Sequence, residues 1–250
     1  MSSLKQQTIF GFIWRFLQNA STQVIGFVVS IVLARLLMPS DYGLIAMITV
    51  FTSIASVFVT TGFSSSIIPK KDLSDVDTNT MFYSGIATSL FLYVCLFLAA
   101  PFIAEFYREP QLVIMLRVQS LSLILSALYS THSALLSREM LFKKSFISSL
   151  VGVCLQGVVG IVLAYSGYGA WALIYSYLAN SIACTIITWY IVKWHPCLSF
   201  SWTSFKQMFG FGSKILGLSL VNTLFNNIQA LIIGKQYSSS DLAYYLSLIH

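Results

Sequence analysis

The sequence predicts an all-α polytopic membrane protein. Hydrophobic residues make up 57% of the chain and charged residues only 9%, whereas roughly 25% of the residues of a soluble domain are charged. The charged residues also come in groups, and the apolar runs between the groups approach or exceed the ~20 residues that a membrane helix requires. A soluble core of 250 residues could not enclose so much apolar surface, so these runs are predicted to cross a membrane.

Seven apolar runs are predicted to be membrane-spanning helices. In chain order they cover residues 12–37, 43–67, 80–104, 113–136, 146–165, 170–192 and 209–234, and an incomplete eighth helix begins at 241. Proline lacks a backbone N–H and is therefore expected between helices. Four of the five prolines fall in predicted connections, and Pro101 falls in the last turns of the third span. The tryptophans lie at or near predicted helix ends, where indole prefers the headgroup boundary.

The cations are distributed unevenly between the two ends of the predicted spans. One end holds Lys5, Arg15, Lys70, Lys71, Arg138, Lys143, Lys144, Lys193, Lys206 and Lys214. The other end holds Arg35, Arg108 and Lys235, and Arg117 lies inside a span. The positive-inside rule then predicts a cytoplasmic N-terminus. The excess of cations at the predicted cytoplasmic end accounts for the net charge of +6, so nucleic acid is not expected as a partner.

A pattern of residues repeats after 200 positions. Residues 28–35 lead into Ser40-Asp41-Tyr42-Gly43, and residues 228–235 lead into Ser240-Asp241-Leu242-Ala243. In both copies an apolar helix ends on a small residue and a cation, and the next helix begins at Ser-Asp. Six spans separate the copies, so both enter the membrane in the same direction, as in transporters built from two parallel halves. We predict a first six-helix lobe at 1–207 and the start of a second lobe at 208–250.

Each copy of the repeat places polar residues on one face of its first helix. The face comprises Arg15, Gln18, Asn19 and Thr22, with Gly26 and Ser30, in one copy, and Lys214, Asn222, Asn226 and Gln229 in the other. Each set falls within an arc of about 120° on an α-helix. Facing each other across a cavity, a cation and amides would suit an anionic, sugar-bearing substrate. The alternatives are that the cations extend to the headgroups and that the amides bond neighbouring helices.

Other polar residues are assigned to architecture or to secondary roles. Arg117 is expected to pair with headgroups or Glu109 in preference to substrate, and a structural hydrogen bond is favoured over proton coupling for His132. Arg35 and Lys235 are expected to form loop ion pairs with Asp41 and Asp241. The four cysteines lack metal-type spacing, and no phosphate-binding loop is present, so neither a metal nor a cofactor is predicted.

Several sequence segments resemble bacterial polysaccharide exporters. They are residues 34–44, Pro69–Leu73, Phe106–Pro110, Ala134–Glu139, Gly167–Leu173 and Phe200–Trp202. Together they are similar to the colanic acid exporter and lipopolysaccharide-biosynthesis branch of the multidrug/oligosaccharidyl-lipid/polysaccharide superfamily. The resemblance implies a multidrug-exporter-like, two-lobed flippase fold, of which this chain holds the first lobe and the start of the second.

The same resemblance implies a function. Such proteins move undecaprenyl-diphosphate-linked oligosaccharide across the bacterial inner membrane, working with glycosyltransferases and a polymerase. It implies that Arg15 and Lys214 meet the lipid diphosphate. Relatives often carry an acidic residue late in the seventh helix, where this chain has Gln229-Ala230, so coupling to an ion through such an acid is not expected.

Three other functional classes are alternatives. A drug/cation antiporter of the same superfamily would require acidic residues within the membrane, but the acids here lie in predicted loops or at span ends. A membrane glycan polymerase or ligase would be expected to carry a large external loop, whereas the longest predicted connections are roughly 11 and 15 residues, beyond the usual loop length but far below a catalytic domain. A non-functional truncated fragment is the third possibility, because one lobe alone offers only half of a cavity.

Overall fold

The computed structural model describes residues 2–61, 67 and 72–249, with side chains placed for these except 2–9, 211 and 246–249. Helices joined by short connections make up nearly all of this part of the chain. They are α1 (Ser2–Leu36), α2 (Pro39–Thr60), α3 (Asp75–Tyr107), α4 (Leu112–Gln119), α5 (Leu121–Arg138), α6 (Phe142–Tyr165), α7 (Ala170–Ile191), α8 (Trp202–Gln236) and α9 (Ser239–Ile249).

Within the described residues, seven stretches of helix are long and apolar enough to cross a membrane. They are Phe10–Leu36, Pro39–Thr60, Asp75–Tyr107, Leu112–Arg138, Phe142–Tyr165, Ala170–Ile191 and Gly212–Gln236. The fourth combines α4 and α5, which meet at the buried Ser120. The predicted all-α polytopic membrane fold is confirmed, and the chain is a multi-pass membrane protein.

Capping groups move several helix ends away from the boundaries that hydropathy predicts. Helix α3 begins at Asp75 rather than residue 80, because the Ser74 N–H donates to Asp77 Oδ2 (3.0 Å) and the Asp77 N–H donates to Ser74 Oγ (3.2 Å). This reciprocal pair satisfies two N–H groups at the helix start. Helix α8 begins at Trp202 rather than 209, where Ser201 Oγ accepts the Ser204 N–H. Helix α2 ends at Thr60, and 62–66, inside the predicted second span, lie outside the described residues.

Small residues let α6 pack closely against both α1 and α7. A Cβ added to Gly157 would lie 2.6 Å from Val29 Cγ2, so a larger residue there would force Val29 or the helices themselves to shift. On the α7 side, the hydroxyls of Ser148 and Thr188 share a hydrogen bond of 2.9 Å. Close backbone approach and interhelical hydrogen bonds are the interactions that hold helices together within a bilayer.

The helix boundaries follow the 200-residue repeat. Helices α1 and α8 are both 35 residues long, and α8 begins and ends 200 residues after α1. Helices α2 and α9 begin at Pro39 and Ser239, again 200 residues apart. The two long helices have different neighbours, because α1 packs against α6 whereas α8 packs against α2 and α3.

The bundle has two ends, which we call the near side and the far side. The near side holds Phe10 and Arg138, and the far side holds the turns after Leu36 and Tyr107. Residues 192–201, which connect α7 to α8, are bonded to the near-side start of α3. The Cys197 N–H donates to Asn79 Oδ1 (3.0 Å), Asn79 Nδ2 donates to Ser199 Oγ (2.7 Å), and the Ser201 N–H donates to Thr80 Oγ1 (3.0 Å). This connection is therefore fixed to the first six spans.

Candidate functional site

The polar face of α1 lies at the surface of the bundle along most of its length. Arg15 and Asn19 are exposed, and Thr22 is half-buried. Arg15 Nη1 donates to Gln18 Oε1 (3.4 Å), which leaves most of the guanidinium N–H groups for other partners. The Thr22 hydroxyl donates to the Gln18 carbonyl of its own helix (2.8 Å), a common arrangement that keeps its oxygen available as an acceptor.

Gln18 differs from its neighbours on this face. Its side chain is only 8% exposed, and its Nε2 donates to Ser149 Oγ on α6 (2.7 Å). Ser145 Oγ approaches the same amide at 3.4 Å. Gln18 therefore joins α1 to α6, which is the interhelical alternative for the amides, and it does not present a free group to a cavity.

The polar face of α8 is exposed throughout. Lys214, Asn222, Asn226 and Gln229 all keep more than a third of their surface. Gln229 Oε1 accepts a hydrogen bond from the Tyr245 hydroxyl on α9 (2.7 Å). The buried stripe of α8, which includes Met208 and Ala230, lies roughly 90° around the helix from this face. Helix α8 thus buries a different face against α2 and α3, and its polar face stays exposed.

The structure brings the two polar faces to the surface on helices that have different neighbours. Each face combines one exposed cation with exposed amides, Arg15 with Asn19 on α1 and Lys214 with Asn222 and Asn226 on α8. Their meeting across a shared cavity stays a prediction.

A basic cavity of about 620 Å³ lies at the near side, next to α1. It is lined by Trp14 of α1, by Arg138 at the end of α5, and by Lys143 and Lys144 in the first turn of α6. Glu139 also lines it, so among the described lining residues the cations outnumber the carboxylate by three to one. Lys143 Nζ lies 5.7 Å from the centre of the Trp14 ring. In the sequence these cations serve only to orient the protein in the membrane, and no site is predicted from them. Their spacing within seven residues between two spans could have indicated one, because a short connection gathers such charges at one end of the bundle.

The two secondary candidates are held by contacts within the bundle. The Arg117 guanidinium lies 4.0 Å above the Phe97 ring, and its Nε donates to the Phe97 carbonyl (3.3 Å). Its protein contacts are thus on α3 and not with Glu109; pairing with headgroups, the other expected partner, stays a prediction. His132 is fully buried, stacks on Trp189 at 4.6 Å between ring centres, and bonds the Leu128 carbonyl (3.2 Å). One ring nitrogen thus makes a hydrogen bond within its own helix, while Nε2 has no partner among the described residues. The choice between a structural role and proton coupling stays a prediction.

The predicted loop ion pairs are replaced by other contacts. Asp41 accepts the N–H groups of Met38 and Ala170, both at 3.0 Å. Asp241 accepts the Ser238 N–H at 3.1 Å and its hydroxyl at 2.6 Å. Both aspartates therefore cap helices, and Lys235 Nζ donates to the Phe106 carbonyl (2.7 Å). Among the described residues, no group of three or more His, Cys, Asp or Glu side chains could hold a metal ion.

Comparison with known proteins identifies the family. A family model described as "Polysaccharide biosynthesis protein" matches residues 32–247, which is most of the chain. The chain belongs to this family. The match runs from the end of α1 through α9, so it includes all of α8 and its polar face.

Curated relatives resemble the chain along nearly all of its length. The teichuronic acid biosynthesis protein TuaB of Bacillus subtilis is 26% identical over 98% of this chain and 51% of its own length. The lipopolysaccharide biosynthesis protein WzxC of Escherichia coli is 25% identical over 93% of this chain and 48% of its own. The succinoglycan biosynthesis transport protein ExoT of Rhizobium meliloti is 22% identical over 93% and 47%. The chain thus spans about half the length of these relatives. No solved structure matches it.

Proposed function

We propose that the chain forms part of a flippase that moves undecaprenyl-diphosphate-linked oligosaccharide from the cytoplasmic to the outer leaflet of the bacterial inner membrane, for surface polysaccharide synthesis. Membership of the polysaccharide biosynthesis family supports this role. The names of the three relatives all include biosynthesis, and that of ExoT includes transport. We propose transport rather than catalysis as the activity, in association with the glycosyltransferases and polymerase that the family resemblance implies.

The observation that carries the proposal is the pair of exposed polar faces on membrane-spanning helices. Polar groups that face lipid hydrocarbon are costly, so such faces indicate a polar cavity. Arg15 offers a planar guanidinium that can bond two phosphate oxygens, and Lys214 offers a compact positive charge. Amides such as Asn19 and Asn222 both donate to and accept from sugar hydroxyls.

On this proposal the near side is cytoplasmic, because most of the cations lie there. The basic cavity around Arg138, Lys143 and Lys144 would attract the anionic diphosphate before it reaches Arg15 by electrostatic steering. Residues 1–207 form one lobe, and α8 and α9 begin the second. Motion of one lobe against the other alternates access, as in transporters built from parallel repeats.

Removal of both face cations tests the proposal. The variant Arg15→Gln with Lys214→Gln should abolish surface polysaccharide and should cause lipid-linked oligosaccharide to accumulate in the inner leaflet, because the diphosphate loses both of its charge partners. Both quantities are measured in cells that depend on this protein for export.

A matched control removes the same charge from the same two helices. Around the helix axis, Arg35 lies roughly 100° from the nearest residue of the polar face of α1, and Lys206 lies roughly 80° from the nearest residue of the polar face of α8. The variant Arg35→Gln with Lys206→Gln should therefore export polysaccharide normally. Normal polymer in the Arg15/Lys214 variant, or equal loss in both variants, contradicts the proposed role of the faces.

A further inference from the structure

A second cavity of about 300 Å³ lies between α1, α2, α6 and α7. Helix α1 contributes Thr22, Gly26 and Ser30 to its wall, and these positions are near the middle of the span Phe10–Leu36. Gly26 and Ser30 remain exposed, so the cavity opens to the surface of the bundle along the polar face of α1. This places a polar opening at mid-membrane depth, where polar groups are rare unless they serve a function.

The wall offers hydrogen-bonding groups without charge. None of the described residues that line the cavity is Asp, Glu, Lys, Arg or His. The hydroxyls of Thr22, Ser30 and Ser176 donate to carbonyls of their own helices at 2.8 Å. Their oxygens are consequently left to accept hydrogen bonds from an occupant.

Two further side chains add polar groups to the wall. The Tyr42 hydroxyl is buried and has no hydrogen-bond partner among the described residues. The amide of the half-buried Gln156 also lines the cavity. Buried polar groups are nearly always satisfied, and leaving one unpaired in an apolar environment is unfavourable. The wall thus combines unused donors with unused acceptors, and an occupant must supply both.

Sugar rings meet this requirement. Each hydroxyl of a sugar both donates and accepts, while the C–H faces of the ring pack on aromatic and aliphatic side chains such as Tyr177 and Val153, which also line the cavity. A monovalent or divalent cation fits less well, because carboxylates are absent from the described wall. Gly26 lies 11 residues after Arg15, or about 16 Å along the helix. A glycan whose diphosphate contacts Arg15 can therefore extend into the cavity.

We propose that this cavity binds an uncharged sugar ring of the lipid-linked substrate, separately from the diphosphate. The inference rests on the proposed flippase function and names a subsite within it. Arg15 and Lys214 then recognise the part of the substrate that all such lipids share, and the cavity recognises the glycan.

Filling the cavity tests the subsite. A Cβ added to Gly26 meets nothing within 4 Å, and leucine favours the helix more than glycine does, so Gly26→Leu occupies the cavity without a backbone clash. Gly217→Leu on α8 is the matched control, because a Cβ there also meets nothing within 4 Å. A second variant, Gln156→Leu, removes a polar group from the wall and leaves the space next to Gly26 unfilled.

Two probes separate the glycan from the diphosphate. The protein in lipid nanodiscs is titrated with undecaprenyl diphosphate and with the lipid-linked oligosaccharide that accumulates in cells lacking the protein. Gly26→Leu should weaken binding of the glycan-bearing lipid by at least about tenfold and leave undecaprenyl diphosphate unaffected. Gln156→Leu should act in the same direction, and Gly217→Leu should bind both lipids as the wild type does.

The outcomes distinguish the subsite from the flippase proposal. Wild-type affinity of Gly26→Leu for the glycan-bearing lipid, or equal weakening of both lipids, overturns the sugar subsite while the flippase proposal stands. A wild-type protein that binds neither lipid overturns the proposed function, and the subsite falls with it.

Discussion

Gln18 shows how one side chain can belong to a polar face and still serve packing. It lies about 40–100° from Thr22, Arg15 and Asn19 around α1, at the edge of the face that contacts α6. At that edge the amide reaches Ser149 (2.7 Å), whereas Asn19, about 100° away, remains exposed. Two side-chain amides one position apart therefore have different roles.

The Gln18–Ser149 hydrogen bond should contribute measurably to stability. We expect Gln18→Leu and Ser149→Ala each to destabilise the protein and to show a coupling free energy of roughly 0.6–1.7 kcal/mol, the range of interhelical bonds in membranes. The measurement is a double-mutant cycle from reversible unfolding in mixed micelles. Asn19→Leu is the control and should leave the free energy of unfolding within about 0.5 kcal/mol of the wild type. Strictly additive effects of the two substitutions would contradict the assigned bond.

The contacts of single residues were the least predictable part of the structure. Sequence spacing suggested Glu109 as a partner for Arg117, but the guanidinium lies on Phe97, 20 positions earlier in α3. That contact depends on how α3 and α4 pack, and helical periodicity within one span does not specify it. A structural hydrogen bond was favoured for His132, but its stacking on Trp189 was not predicted.

At the scale of the helix, Asp41 connects the starts of two helices, α2 and α7. Its Oδ2 accepts the Met38 N–H at the start of α2, and its Oδ1 accepts the Ala170 N–H at the start of α7. The backbone at Gly169, just before α7, has φ +53°, and a Cβ there would lie 3.1 Å from Asp41 Oδ1. Glycine is thus favoured for its conformation, and a side chain there would also crowd the carboxylate. Asp241, the counterpart in the repeat, caps only its own helix through Ser238.

Loss of Asp41 should therefore be more damaging than loss of Asp241. Because an N-cap contributes typically about 1 kcal/mol, we expect Asp41→Ala to lower the free energy of unfolding by roughly 2 kcal/mol and Asp241→Ala by roughly half as much. Thermal unfolding in detergent, followed by circular dichroism, compares the two variants directly. Equal losses would show that the bond to Ala170 contributes nothing.

Hydropathy located the helices but not their ends. The seven spans follow from runs of apolar residues, which lipid requires of any crossing helix. The extra turns of α3 and α8 follow instead from Ser74 with Asp77 and from Ser201, whose side chains cap polar segments outside the apolar runs. The role of Asp41 could not be read from its own helix, because its second partner is 129 positions away.

At the scale of the whole molecule, the two copies of the repeat are in close contact at the far side. Gly43 of α2 lies against the Ser239 backbone of α9, where a Cβ would overlap the carbonyl. A Cβ on Gly234 would lie 2.9 Å from Tyr107. Together with the bond from Lys235 to the Phe106 carbonyl, these contacts join α8 and α9 to α2 and α3 at the far side.

A larger residue at position 43 should open this side. Gly43→Leu must separate α2 from α9, so we expect a cysteine at the buried position Ala243 to become reactive to a membrane-impermeant maleimide added from the far side. Labelling is measured in a background without native cysteines, and Gly217→Leu is the control. An Ala243→Cys residue that stays protected in Gly43→Leu would show that these contacts do not close the far side.

The repeat and the span count could be predicted, because both are properties of the sequence pattern. The docking of α8 on α2 and α3, and not beside α1, could not, because the exposed apolar residues of membrane helices fit lipid as well as other helices. For the same reason the cavity around Gly26 was not foreseen. Its wall combines residues from four helices whose order in space hydropathy leaves open.

Three hydrogen bonds join Asn79 and Thr80 of α3 to residues 197–201, which lead directly into α8. They anchor its near-side end to the first six spans, so any movement of α8 must pivot close to Ser201. A helix of 35 residues is about 52 Å long, and a tilt of about 10° about one end displaces the other by about 9 Å. A displacement of that size is several times the 2.7 Å that separates Lys235 Nζ from the Phe106 carbonyl, so it would break this hydrogen bond.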